Sequence, residues 1–177
     1  MNEHIGSGNL RVHDEFEDEW PGSRATSTEI VINLVRAGAA LNARVSAFVQ
    51  EYGVPSGASL GVLEVLRAEG GPLQPSDIAR RIFASRPALS GILDSLQVRG
   101  LVRRQAHPQS RRGIHVEITD EGLQIIERLL PELHRAEVEW TKVLDDTAQR
   151  ELLDRLGKLQ ARLLPDDERL WRSKRSR

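Results

Sequence analysis

The stretch "GLVRRQAHPQSRRGIHVEIT", residues 100–119, contains two segments in which apolar and polar side chains alternate, with a Pro-Gln-Ser turn between them. Alternation with a period of two is typical of β-strands, so residues 101–107 and 113–119 are predicted to form a hairpin. Guanidinium groups at a hairpin tip are badly placed to stabilise the protein itself and well placed to meet an external polyanion. Four arginines flank this turn: Arg103, Arg104, Arg111 and Arg112.

Three helices are predicted before the hairpin. Residues 59–71 have leucines at helical spacing and end in Gly-Gly, and residues 74–83 have a proline where the first helical turn tolerates it. The third helix, 87–100, is predicted to be capped by Ser85 and stopped by Gly100. Its buried stripe is predicted to consist of Leu89, Ile92, Leu93 and Leu96.

Longer apolar helices are predicted at both ends of the chain. Thr26 and Glu29 form a capping-box pattern that opens a helix reaching about Tyr52. Beyond the hairpin, Thr119 is predicted to cap a helix that bends at Pro131 and continues through Trp140. A last helix, 147–164, is predicted with Asp146 and Gln149 as its cap pair. Such helices are too apolar for one small domain to bury.

Charge is strongly segregated in a chain of 177 residues whose net charge is only −1. Seven acids against two arginines give residues 1–29 a net charge of −5, and eight arginines against two aspartates give residues 76–113 a net charge of +6. Residues 171–177 add four positive charges. A basic middle is the electrostatic pattern of a phosphate-backbone site, although a solvated basic face is the alternative. For the acidic start, a disordered solvated arm is expected.

Several classes of function are excluded or disfavoured. The absence of cysteine excludes disulfides, thiolate zinc sites and thiol redox sensing. The five histidines lack metal-ligand spacing, and no nucleophile–base–acid set or phosphate loop is present, so we expect no metal, no cofactor and no enzyme activity. Without a signal peptide or an apolar run of about eighteen residues, a cytoplasmic protein that does not enter a membrane is expected.

The order of helix, short break, second helix and arginine-tipped hairpin is that of a winged helix-turn-helix, in which the second helix enters the DNA major groove and the wing lies beside it. The predicted fold is therefore mainly α with a small β-hairpin. Eleven residues are predicted to bind DNA: Ser85, Arg86, Pro87, Ala88, Ser90, Gly91, Arg103, Arg104, Ser110, Arg111 and Arg112. Among the helical ones only Arg86 can make a bidentate contact to guanine.

Residues 60–133 resemble the multiple-antibiotic-resistance regulator (MarR) family, on the leucine-rich helix ending in Arg-Gly-Leu-Val, the basic wing and the strand ending in threonine. The family wing carries Asp-x-Arg, whereas this chain has Ser110-Arg111-Arg112. A hydroxyl orients a guanidinium without the charge assistance of a carboxylate. We therefore expect Arg112 to enter the minor groove less rigidly held.

The resemblance implies a homodimer that binds double-stranded DNA at a pseudo-palindromic operator, most often as a repressor, and a small phenolic or anionic effector that releases it. The chain divides accordingly into an acidic arm (1–25), a dimerisation helix (26–55), a DNA-binding domain (56–119), C-terminal dimerisation helices (120–165) and a basic tail (166–177). Two alternatives remain open: an architectural DNA-binding protein without an effector, and a winged-helix module that binds protein.

Overall fold

The computed structural model describes residues 8–106 and 114–163. In chain order its elements are α1 (Phe16–Glu19), α2 (Ala25–Gln50), α3 (Gly57–Glu69), α4 (Pro75–Arg81), α5 (Arg86–Val98), β1 (Val102–Ala106), β2 (Ile114–Ile118), α6 (Asp120–Thr141) and α7 (Asp146–Leu163). Two compact units share these elements, one up to Val45 and the other from Ser46 onward.

In the first unit the described part of the acidic arm is hydrogen-bonded to α2, contrary to the expectation of a disordered, solvated arm. Leu10 exchanges two hydrogen bonds of 2.8 Å with the Asn33 side chain, and Val12 N–H donates to the Glu29 carboxylate at 3.1 Å. The predicted capping box was therefore wrong. The helix begins at Ala25, before Thr26, and Glu29 binds the arm instead of reaching back to its own helix.

The core of the second unit is built from α3, α4 and α5 with the hairpin and α6 packed on them. Ser56 caps α3 by accepting from Ser59 N–H at 3.1 Å, and Gly70 ends it in the left-handed conformation, φ +70°. The core consists mainly of branched aliphatic side chains, which include Leu63, Leu66, Ile78, Leu89, Leu96, Leu101, Ile126 and Leu129. Ile92, predicted to be buried, is only half-buried.

The hairpin pairs β1 and β2 in antiparallel register, with Val102 opposite Ile118 and Ala106 opposite Ile114. A second, isolated pairing was not predicted: Leu73 exchanges backbone hydrogen bonds of 2.9 and 2.8 Å with Val116. This bridge joins the segment between α3 and α4 to the hairpin. A single residue is too short to produce an alternating pattern, which explains why the sequence did not reveal it.

The hairpin and α6 meet at a threonine junction, formed by Gly100, Leu101, Thr119 and Gly122. Thr119 Oγ1 donates to the Gly100 carbonyl at 2.6 Å and accepts from Gly122 N–H at 3.0 Å, which confirms Thr119 as the cap. Thr119 N–H donates to the Leu101 carbonyl at 3.1 Å. Gly100 has φ +72°, a conformation that glycine adopts without steric cost. The end of α5 and the start of α6 are thereby held together.

The C-terminal helices agree with prediction except at the start of α7. α6 runs from Asp120 to Thr141 with Pro131 inside it, which confirms that the helix continues past the proline through Trp140. The cap of α7 is Asp145, which accepts from Ala148 N–H at 2.8 Å, and not Asp146, which is the first helical residue. Gln149 does take part, because its amide donates to the Leu144 carbonyl at 3.0 Å.

Apolar side chains remain exposed on the longer helices when one chain is considered alone. On α2 and α7 they are Ile30, Val31, Leu34, Val35, Leu41, Leu152, Leu153, Leu159 and Leu163. No residue of α7 is buried. The architecture is thus mainly helical with one two-stranded antiparallel hairpin, as predicted.

Replacing Gly122 by alanine tests the threonine junction. A Cβ there would lie 2.3 Å from the Leu101 carbonyl oxygen and 2.9 Å from Ile118 Cγ1, and the backbone cannot yield cheaply. We expect Gly122→Ala to lower the free energy of unfolding by about 1–3 kcal/mol, the usual cost of overpacking. Chemical denaturation measures this.

Gly91→Ala is the matched control, because a Cβ at this helical glycine meets nothing within 4 Å. It should raise the free energy of unfolding by about 0.5–1 kcal/mol, the usual difference between glycine and alanine in a helix. Equal effects of the two substitutions would contradict the close approach at Gly122.

Candidate nucleic-acid interface

The N-terminal half of α5 presents an exposed polar face opposite a buried leucine face. Ser85 caps the helix by accepting from Ala88 N–H at 3.3 Å, which confirms the predicted cap. Leu89, Leu93 and Leu96 point into the core. All six residues that were predicted to face DNA on this helix are exposed: Ser85, Arg86, Pro87, Ala88, Ser90 and Gly91. The core packing of α5 therefore leaves these side chains available to an external partner.

The turn between α4 and α5 contains an exposed residue that sequence analysis missed. Phe83 has φ +56°, the left-handed conformation that usually falls to glycine just after a helix, and Ala84 N–H donates to the Ala79 carbonyl at 3.0 Å. The Phe83 side chain is 53% exposed, two residues before the Ser85 cap. The spacing of apolar residues along the sequence does not distinguish a phenylalanine in such a turn from one in the core.

Most of the described arginines in the basic segment are paired with acids. The segment 76–106 contains six arginines, and within the described structure four of them form ion pairs: Arg80 with Asp77, Arg81 with Glu69, Arg103 with Glu117 and Arg104 with Asp94. Arg99 donates to the Gly53 carbonyl at 3.4 Å. Among the described residues Arg86 has neither an ion pair nor a hydrogen bond. Fewer guanidinium groups of this segment are therefore available to an external polyanion than the sequence suggests.

The two adjacent wing arginines lie on opposite faces of β1. Arg103 is directly across from Glu117, which also accepts from the Gln105 amide at 2.7 Å. The Arg103 side chain is 61% exposed, whereas that of Arg104 is only 26% exposed. Arg104 instead extends across to α5, where it bonds to Ser90, Asp94 and Gln97.

A groove of about 490 Å³ beside α5 brings three of the predicted site residues together, Arg86, Ser90 and Arg104. Its lining is otherwise mainly apolar and includes Leu89, Leu93 and Ile114. The remaining predicted wing residues, Ser110, Arg111 and Arg112, lie outside the described residues. The expectation that Ser110 holds Arg112 less rigidly therefore stays a prediction.

An aromatic cluster lies apart from this interface, in the same unit. Phe48 near the end of α2 stacks on Tyr52 with ring centroids 5.6 Å apart, and Trp140 of α6 meets Phe48 edge-on at 6.2 Å. All three side chains are half-buried. The cluster therefore offers aromatic ring surface that the protein covers only in part.

The described residues lack two other kinds of site. Residues 8–106 and 114–163 contain no group of three or more histidines and acids that could hold a metal ion. Over the same residues, no helix combines the length and the apolar character that crossing a bilayer requires.

Comparison with known proteins connects this geometry to a family. The model of the MarR family matches residues 52–113, from the end of α2 to the wing. The repressor YetL of Bacillus subtilis is 26% identical over 117 residues, 66% of this chain and 70% of YetL. The regulator MhqR of the same organism is 29% identical over 136 residues, 74% of this chain and 91% of MhqR.

Solved structures agree with the fold. The organohalide-sensing regulator RdhR bound to 2,4-dichlorophenol superposes with a TM-score of 0.75 at 18% identity, covering 93% of this chain and 91% of RdhR. The MepR–DNA complex of S. aureus gives a TM-score of 0.68 at 18% identity, covering 75% of this chain and 96% of MepR. NadR in complex with 4-hydroxyphenylacetate is 28% identical with a TM-score of 0.56, covering 73% of this chain and 91% of NadR.

These relatives are transcriptional regulators and not enzymes. The family match lies on the helices and the wing that build the exposed face of α5, and the fold outside it agrees as well. Residues 52–113 therefore match the MarR family, and the relatives and solved structures likewise support a winged-helix transcriptional regulator of that family.

Proposed function

We propose that this protein is a ligand-responsive repressor that binds a pseudo-palindromic DNA operator as a homodimer. The observation that carries the proposal is the exposed N-terminal half of α5, where Arg86 has no ion pair or hydrogen bond among the described residues. A guanidinium held out from the first turn of a recognition helix can donate to the O6 and N7 atoms of guanine. The MarR-family match over residues 52–113 and the similarity to the repressor YetL support the same function.

On DNA, α5 enters the major groove with its leucine face toward the protein. Ala88 contacts a thymine methyl group, Ser85 and Ser90 bond to base edges or phosphates, and Pro87 packs beside them. Gly91 lets the helix backbone approach the DNA closely, since nothing within the chain demands a glycine there. The wing, through Arg103, Ser110, Arg111 and Arg112, contacts phosphates and the minor groove.

A homodimer accounts for the unburied helices. Apolar side chains on α2 such as Val35, 69% exposed, and on α7 such as Leu153, also 69% exposed, are left uncovered by the described residues of one chain. Burial of apolar surface contributes about 25 cal/mol per Å², so a second copy is the natural partner. Two-fold symmetry then places two recognition helices in successive major grooves, about one helical turn apart. As a partner of chromosomal DNA, the protein works in the cytoplasm.

The proposed effector is a small phenolic compound. RdhR and NadR are each described with such a ligand, 2,4-dichlorophenol and 4-hydroxyphenylacetate. The half-buried rings of Phe48, Tyr52 and Trp140 supply an aromatic surface of matching chemistry. Effector and DNA must weaken each other by the same factor, because allosteric coupling is reciprocal.

Selection of genomic DNA fragments by the purified protein tests operator binding. We expect a recurrent inverted repeat, the signature of a two-fold dimer, and a loss of tenfold or more in affinity for Arg86→Ala because one bidentate base contact contributes about 1–3 kcal/mol. Fluorescence anisotropy with the selected repeat measures the affinity.

Arg128→Ala is the control, because it removes the same charge from an exposed arginine of α6. Among the described residues the Arg128 side chain donates only to the Gln124 carbonyl of its own helix. Fragments enriched without a shared repeat would point instead to an architectural protein. No enrichment at all would favour the protein-binding module.

Gly91→Ala separates stability from DNA binding. The proposal expects this variant to unfold at higher denaturant concentration than the wild type and yet to bind the operator several-fold less tightly, because the added methyl group meets DNA rather than protein. Denaturation and anisotropy on the same preparation give both values. Unchanged operator affinity would show that the glycine serves no close approach.

Thermal unfolding with 4-hydroxyphenylacetate tests the effector. A ligand that binds only the folded protein adds about 2.7 kcal/mol of stability at one hundred times its dissociation constant, so the melting temperature should rise by several degrees. The increase should be smaller for Phe48→Ala and should disappear when operator DNA saturates the protein. A melting temperature that no phenol of a screened series changes would favour the constitutive DNA binder.

A further inference from the structure

We propose that Arg104 is a positioning residue, which fixes the wing to the recognition helix and does not itself bind phosphate. The inference deepens the proposed function and rests on it, because it assigns different roles to two adjacent arginines of the same strand. In this assignment Arg103 remains available to DNA, and Arg104 determines where the wing lies when DNA arrives.

The guanidinium of Arg104 binds three groups along one side of α5. Its Nη1 donates to Asp94 Oδ1 at 2.5 Å and to Gln97 Oε1 at 3.2 Å, and its Nη2 donates to the Ser90 carbonyl at 3.3 Å. Ser90, Asp94 and Gln97 are spaced by four and three residues, so they lie on one helical face. A single side chain from β1 thus holds two turns of the recognition helix.

The strand register directs Arg104 to this position. Residues two apart in a strand share a face, so Arg104 lies on the same side as Val102, which is 2% exposed. Its cross-strand partner is Val116, which is fully buried. Arg103 shares the other face with Gln105 and pairs with Glu117.

Exposure also distinguishes the two arginines, although each of them pairs with a carboxylate. The Arg104 side chain is 26% exposed and its charge is matched by Asp94, which is itself 60% exposed at the rim of the interface. To bind phosphate, Arg104 would have to break three hydrogen bonds and leave an unpaired carboxylate facing the DNA. Phosphate repels that carboxylate. Binding of phosphate by Arg104 is therefore unfavourable both because hydrogen bonds are lost and because two negative charges approach each other.

A fixed wing matters because DNA must meet α5 and the wing at the same time. Each element reaches a different groove, and a wing that pivots about its base would lose the entropy of that motion upon binding. The Arg104 contacts remove the motion before DNA arrives. We therefore expect them to act on operator binding more than on binding to arbitrary DNA, since only the operator requires both elements in register.

The test uses variants that keep the net charge. Arg104→Gln combined with Asp94→Asn removes the ion pair without changing the charge, and Arg104→Asp combined with Asp94→Arg reverses the pair. The matched control is Arg103→Gln with Glu117→Gln, which removes the adjacent ion pair on the opposite face of the strand. Affinity is measured for the selected operator and for a scrambled duplex over a range of salt concentrations.

For the neutral Arg104/Asp94 variant we expect a loss of roughly tenfold in operator affinity, with scrambled-duplex affinity unchanged. The slope of log affinity against log salt should equal that of the wild type, because no phosphate contact is lost. The reversed pair should recover part of the operator affinity. The Arg103/Glu117 control should instead lower the magnitude of the slope by about one unit.

Two results would overturn the inference. One is a salt slope whose magnitude falls by about one unit in the neutral Arg104/Asp94 variant, together with a reversed pair that binds the operator no better than that neutral variant; this would make Arg104 a phosphate ligand. The other is operator affinity equal to that of the wild type, which would leave the contacts without a role in binding.

Failure of the proposed function itself is recognised separately. In that case the wild-type protein binds no operator. Amide hydrogen exchange, measured on the protein without DNA, then tests whether Arg104 positions the wing. Amides of residues 102–106 should then exchange faster in the neutral variant than in the wild type at an unchanged melting temperature. Equal exchange would contradict a positioning role for Arg104.

Discussion

The threonine junction is the constraint on which the rest of the DNA-binding lobe depends. One hydroxyl, Thr119 Oγ1, accepts from the first turn of α6 and donates to the Gly100 carbonyl just after α5. Gly122 lets the start of α6 lie against the Leu101 carbonyl where any Cβ would collide. Because α5, the hairpin and α6 all meet within these few residues, the angle at which the wing leaves the core is determined there, before any DNA is present.

Local signals predicted most of the fold, because short-range physics produces them. Ser85 and Thr119 cap helices by hydrogen bonds to N–H groups three residues away, and sequence shows such spacing directly. The failures lay where a distant group competed for the same atom. Glu29 was expected to close its own helix, yet it accepts from Val12, seventeen residues away. No local pattern reveals that competition.

The candidate site divides in the same way. Helical period alone identified the exposed face of α5, since its leucines must point inward. The arginines were different, because a count of charges treats all guanidinium groups as equivalent. In the structure the Arg86 side chain has no partner among the described residues, whereas Arg104 lies across α5. This difference follows from the strand register and the tertiary structure, which a count of charges does not contain. Phe83 was invisible for a related reason, because an exposed phenylalanine and a buried one look alike in sequence.

The paired arginines also affect how the protein searches for its site. Four of the six arginines between residues 76 and 106 have a carboxylate partner within the described structure, so their fields largely cancel beyond a few ångströms. The described part of the lobe therefore attracts non-specific duplex less strongly than six unpaired arginines would. Long one-dimensional sliding along the chromosome would then give way to repeated short visits through solution, and the time spent on wrong sequences would be brief.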